Sequence, residues 1–63
     1  MPVYQLLLLD RNDRVRAAEF VECPDDSEAL AAAQRLLMWH PGVEVWEGRR
    51  VVGRVGVPPP SPP

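Results

Sequence analysis

Residues 25–39, DDSEALAAAQRLLMW, form the one segment long and periodic enough to be read as a helix. At 100° per residue, Ala29, Leu30, Ala33, Leu36 and Leu37 fall on a single apolar stripe with His40 at its C-terminal end. Asp25 is placed to cap the first turn, because its carboxylate accepts free backbone N–H groups there, and Glu28 reaches back to complete a capping box. Both acids suit the positive end of the helix dipole. Pro41 disfavours helical geometry at His40 and Gly42 permits the turn that follows, so the helix is expected to stop near Trp39. Such a stripe must bury itself against a second layer.

Upstream, Val3 to Leu9 (VYQLLLL) has two largely apolar faces, Val3/Gln5/Leu7/Leu9 and Tyr4/Leu6/Leu8, the mark of a strand inside a sheet. Asp10-Arg11-Asn12-Asp13 reads as a turn in which Asn12 or Asp13 takes the left-handed conformation. Arg14 to Glu22 returns antiparallel with a weaker alternation, suited to an edge strand with one buried side. Downstream, Val43 to Glu47 and Arg50 to Val57 make a second hairpin around Gly48-Arg49, with glycine where a type II′ turn needs it. An unbroken register sets Glu47 opposite Arg50, Trp46 opposite Val51, Val45 opposite Val52 and Glu44 opposite Gly53; Gly53 leaves room there or marks a bulge. The expected fold is α+β: a ββαββ domain over residues 1–57, with four strands in one sheet, one helix on one face, and a β-grasp-like arrangement with an inner first strand. Residues 58–63 (PPPSPP) form a proline-rich tail.

A chain of 63 residues supports one small core, and a core of that size contributes only a few kcal/mol of net stability. Cys23 is the single cysteine and His40 the single histidine, which excludes an internal disulfide and a Cys/His zinc cluster. No cofactor is implied. Leu6 to Leu9 is too short for a signal segment or a membrane span, so a cytoplasmic location is expected. Nine acids against seven bases give a formal charge of −2, without the basic excess of a nucleic-acid binder. All the bases are arginine, a bias that fits a GC-rich bacterial genome.

Met1-Pro2-Val3-Tyr4 leading into a leucine-rich strand, the LLDRNDR turn, the DD-x-x-AL-x-x-A helix and the EVWEGRRV hairpin together resemble a group of short bacterial proteins that form a domain of unknown function. The resemblance runs up to Val55. It implies the ββαββ pattern and carries no assigned activity. The chain departs from that pattern at Asp13, where a glycine is usual, and in its proline tail.

Each candidate for chemistry has a plainer reading. Removal of Met1 exposes the Pro2 amine, as in small tautomerases that use an N-terminal proline as base, but there the helix follows the first strand directly. Here a second strand intervenes. Asp10 to Asp13 lacks the later oxygen ligands of a calcium loop, where Arg14 and Val21 stand instead. Asp25 and Asp26 sit where a helix start wants acids. His40 has no nucleophile beside it, since Cys23 lies at the far end of the helix, ~20 Å away at the standard rise. Arg14, Arg16, Arg50 and Arg54 share strand parities, and Arg49 lies at the turn. They could form a basic strip beside Trp46 for single-stranded nucleic acid, but Glu19, Glu22, Glu44 and Glu47 interleave and neutralise it.

The remaining reading is a small non-enzymatic interaction protein. One helix covers one face, so either the Tyr4/Leu6/Leu8 side or the Trp46/Val51/Val55 side is left open to a second copy or a protein partner. Met38 and Trp39, off the helix stripe, extend the candidate surface. The P-x-x-P spacings at Pro59/Pro62 and Pro60/Pro63 favour polyproline II.

Overall fold

The computed structural model describes residues 1–56. In chain order these form β1 (Val3–Leu9), β2 (Val15–Glu22), α1 (Asp26–Arg35), a 3-10 turn (Leu36–Met38), β3 (Gly42–Glu47) and β4 (Arg50–Gly56). The chain therefore adopts the ββαββ order and the α+β class. Val57 and the proline run, with its P-x-x-P spacings, lie outside the described residues.

The strands form one sheet in the order β2-β1-β3-β4. β1 and β3 are thus the inner strands, and every neighbouring pair is antiparallel, β1 with β3 included, where a β-grasp-like arrangement would set its inner strands parallel. β1 can be inner because both its faces are oily. The helix begins with half of the expected capping box: Asp25 is extended and its Oδ1 accepts the Glu28 N–H at 2.9 Å, while among the described residues the Glu28 side chain makes no return bond. It tightens into the 3-10 turn before Pro41, where the Trp39 and His40 N–H groups both donate to the Leu36 carbonyl at 3.0 Å.

Ala29 and Ala33 are fully buried, and their small side chains let the helix sit close on the sheet. Beneath them lie Tyr4, Leu6 and Leu8 of β1 and Val43 and Val45 of β3, with Leu30, Leu36 and Leu37 packed around the margin. Each fully buried leucine or valine contributes about 1.5–3 kcal/mol of transfer free energy. This decides which face is covered. The Tyr4/Leu6/Leu8 side is core.

The β3–β4 hairpin departs from the unbroken register. Glu47 pairs with Arg50 and Trp46 with Val51, but Val45 then meets Gly53, Glu44 meets Arg54 and Val43 meets Val55. Val52 is the extra residue of a β-bulge and packs against the core. Everything after it changes face. Val55 turns toward the helix and Arg54 away from it, the reverse of the expected assignment. Gly48 has φ +59°, as the tight turn requires.

The helix lies over β3 and β4. β2 is an edge strand, as expected, but it lacks a buried side: Val15 to Phe20 are all exposed and only Val21 is half-buried. Cys23 is buried where β2 turns into the helix, and its N–H donates to the Pro2 carbonyl at 3.1 Å.

Candidate interaction surface

Strand alternation and register define the face turned away from the helix. One row crosses all four strands: Phe20, Gln5, Trp46 and Val51. Phe20 is 70% and Val51 52% exposed, while Trp46 lies half-buried between them. Val3, also exposed, precedes Gln5 on the same side. The next row is Ala18, Leu7, Glu44 and Arg54. The Trp46 indole N–H donates to Glu44 Oε1 at 2.7 Å, which lays the ring along the strand. Arg54 faces Glu44, with Nε to Oε2 at 3.7 Å, and also bridges to Asp13.

That bridge organises one end of the face. Asp10 Oδ1 accepts the N–H groups of Asn12 and Arg14 at 2.8 and 3.0 Å, and Asp13 takes the left-handed conformation at φ +66°. The Arg14 N–H, with help from Asn12 and nearby arginines, holds the Asp10 carboxyl below the usual carboxylate range. The loop so formed meets Arg54 from across the sheet. Leu9, which by alternation points away from the helix, is only 4% exposed. The open side is therefore a mixed surface: apolar across its Phe20–Val51 row, and ion-paired beside it.

A second polar cluster ties the layers together at the other end. Tyr4, 2% exposed, donates its hydroxyl to Asp26 Oδ1 at 2.8 Å, and Arg50 donates through Nη1 and Nη2 to both oxygens of Asp26 at 3.0 Å. Arg50 also bonds Glu47. Burial, then the bond to Asp26, pushes the Tyr4 phenol up to about 12. Arg50, then Tyr4, holds the Asp26 carboxyl below its ordinary range, and these acids raise the Arg50 guanidinium further. A phenol held this firmly in its protonated form is a poor base at neutral pH. The cluster clamps the start of the helix to β1 and to the β3–β4 hairpin.

The sequence candidates separate accordingly. Tyr4, Leu6 and Leu8 are core and leave the set of surface residues; Val55 leaves it because the bulge turns it inward. Trp46 and Val51 lie together on the open face. Met38 and Trp39, 79% and 71% exposed, belong to the helix layer and do not join that row. The arginines do not form one strip either, since the bulge puts Arg50 and Arg54 on opposite faces, each paired with acids. Arg14, Arg16 and Arg49 are exposed. Phe20, absent from the sequence-based set, is the most exposed member of the row. Its parity with Ala18 was legible, but which parity faced the helix was not. Among the described residues no group of three or more His, Cys, Asp or Glu side chains could hold a metal, and no helix is long and apolar enough to cross a membrane. Comparison with family models, curated proteins and solved structures found no match for this chain.

Proposed function

We propose that the chain is a small non-enzymatic interaction module that homodimerises or binds a protein partner through its open sheet face. The observation behind this is the Phe20–Gln5–Trp46–Val51 row, in which three large apolar side chains span a sheet side that no helix shields. Tryptophan and phenylalanine in a flat, partly exposed setting are the residue types that anchor protein contacts. The nucleic-acid reading has less behind it, because Arg50 and Arg54 are engaged with carboxylates and face opposite ways. The proline-based enzyme reading has less behind it, because a second strand comes between β1 and the helix. The interaction-module reading places the chain in a bacterial cytoplasm.

A photo-crosslinking amino acid placed at Val51, in cells of the source organism, tests this. The expected result is a crosslink to a second copy or to one defined protein, absent when the same group replaces exposed Ala31 on the helix. A chain that gives no crosslink from position 51 and stays monomeric at high micromolar concentration overturns the reading.

A further inference from the structure

We infer that a second copy of this chain joins at the outer edge of β2, two-fold related and antiparallel, so that two four-stranded sheets become one sheet of eight strands. The inference concerns the edge of the sheet, and it stands independently of the open-face reading.

β2 carries Val15–Glu22 at the sheet margin, pairs only with β1, and is exposed along Val15 to Phe20. Its outer backbone groups are a template for another strand. The usual protections are thin: there is no proline within it, no helix over it, and one bulge near its start, where Leu8 and Leu9 meet Ala17 and Val15. The protected edge lies on the other side of the sheet.

The charge order along β2 selects the partner. Arg14 and Arg16 stand at its start, Glu19 and Glu22 toward its end, and none of the four enters an ion pair among the described residues. Of the two acids near the start, Asp13 is bound to Arg54, and Asp10 accepts from the loop backbone with Arg14 and Arg16 near enough to help lower its carboxyl but not ion-paired to it. An antiparallel second copy brings the basic start of each strand beside the acidic end of the other; a parallel copy sets like against like. In a continuous sheet the two-fold axis stands perpendicular to the sheet, so a residue must face its own copy. With Glu19 on the axis, two carboxylates collide. With Ala18 there, two small exposed side chains meet, and Arg14 and Arg16, the latter the extra residue of the bulge, come alongside the acidic end of the second copy.

The test uses the full chain in two charge-reversed forms. One carries Arg14→Glu with Arg16→Glu, the other Glu19→Arg with Glu22→Arg. Sedimentation velocity is expected to show the native chain as a dimer, each altered form associating roughly tenfold more weakly with itself, and an equimolar mixture restored to a heterodimer. Circular dichroism checks that both forms keep the native fold, and Ala18→Lys, which sets two ammonium groups on the axis, gives an independent loss of association. A native chain that is monomeric at high micromolar concentration overturns the inference, as does a dimer that the charge reversals leave unchanged or a mixture that does not re-pair. If the dimer ignores the reversals while position 51 still crosslinks to a second copy, the edge proposal fails and the open-face reading survives.

Discussion

The two margins of the sheet are built from strands of similar length and treated in opposite ways. β4 is bulged at Val52, overlain by Leu30 and Leu37 of the helix layer, and fastened by Arg50 and Arg54 to acids on both faces. β2 has exposed side chains on both sides and free charges. Among the described residues there is one α-helix, and it covers the hairpin that follows it in sequence. The difference teaches where tolerance and association should be found: the covered margin resists change, and the bare one is available for contact.

Substituting glycine at the covered margin should have the largest effect. Gly56 sits at φ +103°, and a Cβ there would lie 2.5 Å from the Pro41 carbonyl oxygen and 2.8 Å from Gly42 Cα. Gly56→Val should cost about 3 kcal/mol or more, enough to unfold a domain of this size in a urea titration. Gly53→Ala, which approaches only the flexible tip of Leu30 at 3.1 Å, should cost about 1 kcal/mol by the same measurement. Stability close to native for Gly56→Val would mean that the covered margin is not tightly built.

The clamp at the helix start provides a smaller test. Tyr4→Phe removes one buried hydrogen bond and should lower the thermal midpoint by a few degrees. The chain has one tyrosine, so its ultraviolet absorbance titration should place phenolate formation near 12 while the protein stays folded. Because the folded pKa is raised, this stabilisation is complete below the ordinary value of 10.0 and fades as pH climbs toward the folded one. Asp26 works in the other sense. Its folded carboxyl lies below the ordinary 3.8, so its contribution is complete above that value and is lost as pH falls through the lowered one. Melting curves of the native chain and Asp26→Asn should therefore converge in strong acid.

The bare margin should give the least response. Ala18→Val, in a strand position exposed in the single chain, should shift the unfolding free energy of the dissociated chain by no more than about 0.5 kcal/mol. A large loss there would erase the contrast between the margins.

The helix, its Asp25 cap, its Ala29/Ala33 stripe and the Gly48 turn were all legible, because each depends on local geometry that a few side chains specify. The covered face was not. β1 is apolar on both sides, so its alternation carries almost no orientation signal beyond Gln5, and only the position of the helix settles it. The bulge was half legible: Gly53 marked the place, but a single inserted residue is decided by how Val52 fits under the helix, a tertiary matter. From there the error travelled, exchanging Val55 for Arg54 and dissolving the arginine strip. The exposure of β2 was missed because an edge strand was expected to bury one side, and the helix lies over the other half of the sheet.

The lone thiol has a practical consequence. Cys23 sits shielded at the joint between β2 and the helix, so a thiol-reactive dye can label it only when that joint breathes open. Its labelling rate is a built-in clock for local opening, and it would run slower in any assembly that holds β2 in place.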